Sequence, residues 1–270
     1  MRWRYVFKVL ARSRSLSFTA KAARKQPSDT LEKLRWRGRD VFYRPGTSDA
    51  IVLYQNLLRS GNKAEYYVPP ALKPGVILDI GSNIGGSILY FRHLFPESAI
   101  IGFEPHPETF EVLRRNVAGL PGVSVFNYGL GAADGVTTVQ FEGANFGRFR
   151  FAPRDIIDAA DVRSVECEIR HAGDTLRRLG VNEIDLLKID CEGSEIDVFT
   201  AAPQELIARC RWIVGEMHDA SAFKILALLA PHFDLDLRKR MFSPCFRFHA
   251  CNLAEVAKLK HGFDLHALQS

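Results

Sequence analysis

The sequence predicts an α/β fold built on a doubly wound, mostly parallel sheet that closes with an antiparallel hairpin. Short apolar runs, typical of strands buried on both faces, alternate with segments of helical periodicity. The first run, residues 76–80, leads directly into a glycine-containing loop and a helix expected at about residues 85–95. A chain of 270 residues suffices for one sizeable core with modest extensions. We therefore expect a single domain over residues 41–270, preceded by a basic arm over residues 1–40.

The elements of this domain follow in order from their residue patterns. Thr47, Ser48 and Asp49 are typical of a helix start, and Gly61 marks the end of the apolar run that follows. After the second strand, Pro107 suits the first position of a helix. Beyond the first strand, buried strands are expected at residues 100–103, 123–128, 184–189 and 212–216.

Two parts of the chain depart from the alternation of strands and helices. Residues 136–142, 149–151 and 165–169 alternate with turn residues and have no helix between them, which predicts a β-rich insertion at about residues 135–170. The two runs 233–241 and 245–252, separated by a Ser-Pro turn, predict the closing hairpin.

Basic residues concentrate near the N-terminus. Residues 1–44 hold 13 Lys/Arg and 3 Asp/Glu, whereas the remaining 226 residues hold 23 and 28. We expect the arm to be a poorly ordered tail, because termini are often disordered. Its mixture of aromatic and basic residues leaves peripheral docking on an anionic membrane surface, or on phosphates, as the alternative.

The five cysteines are widely scattered, and no pair has CxxC spacing. This pattern argues against a disulfide framework or a structural zinc site and favours a reducing, cytoplasmic location. No apolar run approaches the roughly 18 residues that a membrane-spanning helix needs.

The loop after the first strand carries residues that suit a nucleoside ligand. Glycines at 81 and 85 let the backbone approach a ligand closely. A dinucleotide fingerprint would need glycine at position 83, where this chain has Asn83. Asp79, at the strand tip, suits a cationic amino group, directly or through water. Glu104 closes the second strand near the roughly 20-residue offset at which an acid binds ribose hydroxyls. Helix capping and a solvated strand end are the plainer roles for these two acids.

At this point the chain resembles the FkbM-type methyltransferases, a family of class I enzymes that methylate hydroxyl groups. The resemblance covers roughly residues 41–220. It rests on the blocks YRPGTSD (43–49), ILDIGSNIG (77–85), FEP (103–105), LLKIDCEGSE (186–195) and EMH (216–218). Cys191 departs from the family pattern, which usually has an aliphatic residue there.

The resemblance implies a seven-stranded, Rossmann-like class I methyltransferase sheet and S-adenosyl-L-methionine as cofactor. The acceptor it implies is a hydroxyl on a sugar, glycan or secondary metabolite. The expected cofactor-binding residues are Asp79, Gly81, Asn83, Gly85, Glu104 and Asp190.

The fourth and fifth strands supply candidates for catalysis. A neutral hydroxyl must lose its proton as it attacks, so a base is needed within hydrogen-bond reach. His218, which titrates near neutrality, is the first candidate and Asp190 is the second. Lys188, Glu192 and Glu216 are expected to contact the acceptor, with pairing to Asp190 an alternative for Lys188. A divalent ion held by Asp190, Glu216 and His218 is a less favoured alternative, and we assign no metal ligands.

A few further residues are assigned from their position. Arg44 and Asp49 are expected to close over cofactor or substrate, although a helix-start role suits Asp49 equally. Glu195 suits either the site or the dipole of the following helix. Three residues of the insertion are expected to face the acceptor, namely Asn145, Arg148 and Arg150.

Three other functions are compatible with parts of the pattern. A nicotinamide-dependent sugar oxidoreductase or epimerase would need GxGxxG and usually YxxxK, and YxxxK does not occur. A nucleic-acid methyltransferase guided by the basic arm would usually carry a Pro-Pro motif where this chain has DCEG (190–193). Acids at the mouth of the site would also repel phosphates, so no specific nucleic-acid partner is expected. The third alternative is a non-catalytic binding protein. The oligomeric state is not predicted.

Overall fold

A parallel sheet with apolar cores on both faces organises the structure, a computed structural model. It describes residues 3–23, 28, 30–59, 61–142, 150–151, 162–218, 221–239 and 245–259. The strands are β1 (Glu32–Trp36), β2 (Arg39–Tyr43), β3 (Val76–Ile80), β4 (Ala99–Phe103), β5 (Val123–Phe126), β6 (Gly129–Gly131), β7 (Gly135–Glu142), β8 (Arg150–Phe151), β9 (Val162–His171), β10 (Leu186–Ile189), β11 (Trp212–Met217), β12 (Phe233–Lys239) and β13 (Phe246–Asn252). The helices are α1 (Trp3–Ser13), α2 (Leu16–Ala22), α3 (Asp49–Leu57), α4 (Gly86–Leu94), α5 (Pro107–Val117), α6 (Ala172–Arg178), α7 (Glu195–Ala201), α8 (Gln204–Arg209), α9 (Ser221–Leu229) and α10 (Val256–Leu259).

Within the described residues, seven strands form the central sheet in the order β12-β13-β11-β10-β3-β4-β5. All run parallel except β13, which is inserted between β11 and β12 and pairs antiparallel with both. The predicted fold class is therefore confirmed: a Rossmann-like, mostly parallel sheet with a closing antiparallel hairpin.

The apolar runs form strands because both faces of the sheet are covered. Leu78, Ile80 and Leu187 belong to one core, which also receives residues of α6, α7, α8 and α9. Ile77 and Leu186 point the other way, into a core shared with α4 and α5. Successive residues of a strand face opposite sides, so a strand buried on both must be apolar almost throughout.

The β-rich segment forms a separate small sheet. In the described part of the chain its order is β6-β9-β7-β8, with β9 pairing parallel to β6 and antiparallel to β7. Asn145 and Arg148, expected to face the acceptor, lie outside the described residues. Arg150 is the first residue of β8, and the structure describes its backbone only.

The N-terminal arm differs from the expected poorly ordered tail. Residues 3–23 contain α1 and α2, and β1 and β2 form an antiparallel hairpin. Val9 and Phe18 are buried in a core that includes Leu53 and Leu89. Burial of these apolar residues stabilises the packing of the helices against the rest of the protein. It offsets the conformational entropy that the segment loses when it becomes ordered.

No helix in the described part of the chain combines the length and the apolar character that crossing a bilayer requires.

Candidate active site

The carboxyl ends of neighbouring parallel strands bring the predicted site residues to one edge of the sheet. Ile80 ends β3 and is in register with Phe103 of β4 and Ile189 of β10. Ile189 is in turn aligned with Gly215 of β11. The residues at or beyond these strand ends are Gly81, Glu104, Asp190, Glu216 and His218. Open α/β sheets bind ligands at this edge, which makes it the candidate site.

The loop between β3 and α4 runs very close to the backbone that follows β10. Gly81 has φ +80°, and a Cβ at this position would lie 1.9 Å from the carbonyl oxygen of Asp190. Asn83 also has a positive φ of 49°, and Gly85, with φ +87°, precedes α4. The turn therefore requires glycine at position 81. Gly81 and Asn83 keep partial exposure at its outer edge, where backbone can meet a ligand.

Asp79 and Lys188 form a buried ion pair that supports this loop. They are register partners in β3 and β10, so their side chains lie on the same face of the sheet. Lys188 Nζ is 3.1 Å from Asp79 Oδ1 and also donates hydrogen bonds to the carbonyls of Ile80 and Gly81. Ser87 Oγ donates to Asp79 Oδ2 at 2.6 Å.

This burial differs from the roles expected for both residues. The exposed fractions of Asp79 and Lys188 are 0% and 1%. Asp79 was expected to meet a ligand's amino group and Lys188 to contact the acceptor. The buried pair, with the hydrogen bonds from Lys188 to the carbonyls of Ile80 and Gly81, fixes the loop after β3, and the expected ligand contacts stay predictions.

Glu104 presents a buried carboxylate at the end of β4. It is 3% exposed, and its two oxygens accept backbone hydrogen bonds from Asn83 and His106, both at 2.9 Å. Burial raises the pKa of Glu104 to about 7, although these amides favour the charged form. A carboxylate has about four lone-pair positions, so two remain for further donors such as vicinal hydroxyls.

Asp190 follows β10 and is held by a residue from the segment before β3. The hydroxyl of Tyr66 donates to Asp190 Oδ2 at 2.7 Å. Burial, reinforced by the charge of Asp190, raises the pKa of Tyr66 well above its usual value. Tyr66 therefore keeps its proton and acts as a donor to the partly exposed Asp190.

His218 follows β11 and is oriented by Glu195, the first residue of α7. His218 Nδ1 lies 2.9 Å from Glu195 Oε1, and Glu195 also accepts hydrogen bonds from the amides of Cys191 and Gly193. Glu195 is fully buried. On the other side of the ring, His218 Nε2 lies 3.4 Å from Glu192 Oε2. The contact with Glu195 fixes the orientation of the ring, so that Nε2 faces Glu192.

The acids around His218 determine its charge. Burial opposes the imidazolium, but the hydrogen bond and charge of Glu195, with Asp190 and Glu192, outweigh it and raise the pKa of His218 to about 10. Burial, followed by repulsion from Asp190, raises the pKa of Glu192 to about 8. Without a ligand, His218 is therefore protonated at neutral pH. His218 loses its proton and becomes a base when the pH rises above its pKa. A second cation bound beside Asp190, Glu192 and Glu195 would lower that pKa and have the same effect.

Glu216, expected to contact the acceptor, is paired with Arg247 from β13. Arg247 Nε lies 3.2 Å from Glu216 Oε1, and its guanidinium also pairs with Glu65. Arg59 contacts Glu65 at 3.4 Å. Burial, followed by repulsion from Asp190 and Glu65, raises the pKa of Glu216 to about 7. This network ties the segment before β3 to the C-terminal hairpin beside the site.

Among the described residues, two groups of side chains are close enough to share a metal ion. The ligand atoms of Asp190, Glu192 and His218 lie within 4.8 Å of one another, as do those of Glu216, His218 and Cys245. Both groups use His218, whose ring nitrogen must be unprotonated to bind a metal. The arrangement can therefore hold either a divalent cation or an imidazolium at His218.

Arg44 and Asp49 form another buried ion pair. Asp49 accepts hydrogen bonds from the amide and the guanidinium of Arg44 at 2.8–2.9 Å. The same guanidinium donates to Thr109 Oγ1 of α5 at 3.2 Å. The pair thus fastens the start of α3 to α5, and closure over a ligand stays a prediction.

Comparison with known proteins decides between the candidate classes. The family described as "Methyltransferase FkbM domain" matches residues 79–242, more than half of the chain. The chain belongs to the FkbM methyltransferase family. The family resemblance found in the sequence and its implication of a methyltransferase are thereby confirmed. The alternatives of a nicotinamide-dependent oxidoreductase and of a non-catalytic protein are wrong.

Three relatives of this FkbM-family enzyme illustrate the similarity. It is 29% identical over 199 residues to methyltransferase sdnD of Sordaria araneosa, covering 62% of this chain and 77% of that protein. It is 28% identical over 180 residues to the 2-O-methyltransferase NoeI of Sinorhizobium fredii, covering 59% and 72%. It is 26% identical over 238 residues to the 31-O-demethyl-FK506 methyltransferase FkbM of Streptomyces tacrolimicus, covering 76% and 89%.

Some residues that shape the site of this FkbM-family enzyme were not singled out from the sequence. Tyr66 and Glu65 precede the matched family segment, and Arg247 follows it. No motif marks them. The register of β13 against β11 aligns Arg247 with Glu216, so a correct strand order is the signal that could have found this contact.

Proposed function

We propose that this methyltransferase transfers a methyl group from S-adenosyl-L-methionine to a hydroxyl of a small molecule or glycan. The observation that carries the proposal is the Glu195–His218 pair beside the loop after β3. Methylation of a neutral hydroxyl needs a positioned base, and a histidine held by a buried carboxylate is suited to that task.

The residues around the loop after β3 fit the cofactor. Gly81 permits a close approach of backbone, and Glu104 retains lone pairs for the two ribose hydroxyls. Asn83 and Gly85 shape the same turn. Asp190, partly exposed and next to this turn, is proposed to contact the cofactor on the side facing His218. When bound, S-adenosyl-L-methionine supplies the methyl group and leaves as a neutral thioether.

The protein's own residues would align the acceptor and remove its proton. In the unprotonated form of the ring, His218 Nε2 accepts the proton of the hydroxyl, while Glu195 fixes the ring through Nδ1. Asp190, oriented by Tyr66, accepts a hydrogen bond from the acceptor or from the cofactor and remains the second candidate for the base. Positioning of donor and acceptor contributes the rest of the acceleration.

Glu192 and Glu216 are proposed to contact the acceptor. Their raised pKa values place a proton on part of each population near neutrality, so they can both donate to and accept from hydroxyls. The names of two relatives, a 2-O-methyltransferase and a 31-O-demethyl-FK506 methyltransferase, describe methylation at oxygen in those proteins. They support an oxygen acceptor here.

The proposal is tested by a screen of acceptors with isotopically labelled donor. Sugars, glycans and secondary metabolites should include a compound whose hydroxyl becomes labelled, and His218→Gln should lose most of that labelling. Arg114→Gln provides a matched control, because Arg114 lies on the exposed side of α5, where it pairs with the exposed Glu111. Label found only on nucleic acid, or undiminished in His218→Gln, would contradict the proposal.

A further inference from the structure

The first 28 residues carry an unbalanced positive charge. They contain eight Lys/Arg residues and no Asp or Glu. Stretches of this kind that also carry large apolar residues are typical of segments that bind anionic surfaces.

The structure gives this segment a fixed orientation. Val9 of α1 and Phe18 of α2 are buried, and the ring of Phe18 packs edge-on against Tyr43 with 5.1 Å between centroids. The guanidinium of Arg12 lies 5.7 Å from the centre of the Tyr54 ring. These contacts anchor one side of the two helices to the protein, so the other side is presented outward.

Large apolar side chains lie on that outward side. Phe7 is 66% exposed and Leu16 is 75% exposed. Each is accompanied by exposed cations, Lys8 next to Phe7 and Arg14 two residues before Leu16. Apolar side chains that enter a lipid interface, combined with cations that meet anionic headgroups, are the components of peripheral membrane binding.

We propose that α1 and α2 form a docking surface for an anionic lipid bilayer, comprising Phe7, Lys8, Arg14 and Leu16. The charge of the segment is complementary to anionic headgroups. Nucleic acid is the other polyanion that would attract it. The exposed aliphatic side chain of Leu16 favours the bilayer, because nucleic-acid backbones are recognised through charge and hydrogen bonds. The proposal does not depend on the identity of the methyl acceptor.

The full-length protein is tested by co-sedimentation with vesicles. It should bind vesicles of phosphatidylcholine mixed with phosphatidylglycerol, release them at high salt, and bind pure phosphatidylcholine weakly or not at all. The double variant F7S/L16S should lower the affinity roughly 10-fold or more, because both apolar anchors are lost. K8E/R14E should weaken binding to the anionic vesicles at low salt.

Phe223 offers a matched control. It is 73% exposed on α9, so F223S removes an exposed phenyl ring elsewhere on the surface and should leave vesicle binding unchanged. Because the replaced residues are exposed, all variants should keep the wild-type thermal midpoint. Equal binding of F7S/L16S and wild type would overturn the proposal. So would a preference for polyuridylic acid over anionic vesicles that survives in F7S/L16S, which would indicate a nucleic-acid surface.

Discussion

Replacing Glu195 with glutamine is expected to lower the pKa of His218 while the proton stays on Nδ1. In the native protein, Glu195 accepts hydrogen bonds from the amides of Cys191 and Gly193 and lies 2.9 Å from His218 Nδ1. One oxygen, Oε1, accepts from the amide of Cys191, lies 3.2 Å from the amide of Gly193 and also faces His218 Nδ1. In Glu195→Gln the side-chain oxygen is expected to keep that position, because an NH2 group there would meet backbone donors. Nδ1 then keeps its proton and Nε2 stays available as the base, while the charge of the carboxylate is lost.

The size of the effect follows from the charges around the ring. The pKa of His218 is raised from 6.5 to about 10, which corresponds to about 5 kcal/mol in favour of the imidazolium. Burial lowers this pKa, and Glu195 contributes most among the groups that raise it. Unit charges at the observed 2.9 Å interact by roughly 6 kcal/mol at an effective dielectric constant of 20. We therefore expect the pKa of His218 to fall by roughly 2 units or more in Glu195→Gln.

The pH dependence of the reaction follows with a definite sign. The base form of His218 increases with pH up to its pKa, so kcat/KM should rise through the neutral and alkaline range in the native enzyme. Asp190, Glu192 and Glu195 face the ring most closely, and Glu216 and Cys245 also lie near it. In Glu195→Gln the rise should move to lower pH, while kcat on the alkaline plateau falls roughly 10-fold, because a less basic imidazole takes up the proton less readily.

Two measurements check this reasoning. NMR titration of the His218 ring, assigned with His218→Gln, gives the pKa without any acceptor, and pH–rate profiles give the catalytic consequence. Glu192→Gln is the control, because it removes a carboxylate on the Nε2 side and leaves the contact between Glu195 and Nδ1 in place. It should lower the pKa of His218 with a smaller loss in kcat. An unchanged pKa of His218 in Glu195→Gln, or an unchanged rate with the native pH profile, would refute the reasoning.

Four further outcomes are expected. Glu104→Gln should weaken binding of S-adenosylhomocysteine roughly 10–100-fold in calorimetry, because a charge-assisted acceptor is lost and an NH2 group meets the donating backbone. Tyr66→Phe should lower kcat roughly 10-fold while the Kd for S-adenosylhomocysteine changes little, because Asp190 loses its orienting donor. Gly81→Ala should lower the thermal midpoint and abolish S-adenosylhomocysteine binding, because its Cβ would collide with the carbonyl of Asp190. Incubation with EDTA should leave the labelling rate unchanged, because the proposed base needs no metal.

Each of these outcomes has a contradictory result. If Glu104→Gln bound S-adenosylhomocysteine with native affinity, Glu104 would not contact the ribose. If kcat and the Kd for S-adenosylhomocysteine changed in parallel in Tyr66→Phe, the role of Tyr66 would be structural. A stable Gly81→Ala that binds S-adenosylhomocysteine normally would place the ligand elsewhere. Activity that EDTA removes and magnesium or manganese restores would assign the cluster of Asp190, Glu192 and His218 to a metal ion.

The sequence predicted the central sheet because its strands are continuous apolar runs, which few other structures accommodate. Glu104 and His218 could be placed at strand ends for the same reason. Contacts between strands could not be predicted, since they depend on strand order. Asp79 meets Lys188 only because β3 and β10 are neighbours. The bond from Tyr66 to Asp190 joins residues that are 124 positions apart.

The N-terminal arm was misjudged for a physical reason. Its terminal position indicated a poorly ordered tail, whereas Val9 and Phe18 pack into the protein beside Leu53. Two buried apolar residues in a short basic segment leave no periodic pattern that distinguishes an anchored helix from a tail. The hydrogen bond between Glu195 and His218 was also beyond the sequence, which left Glu195 equally suited to the helix dipole.

A calorimetric titration of the protein with S-adenosylhomocysteine tests the central claim most directly. The turn at Gly81 and the carboxylate of Glu104 predict saturable one-to-one binding that Glu104→Gln weakens. A folded protein that gives no heat with this ligand at millimolar concentration would contradict the account.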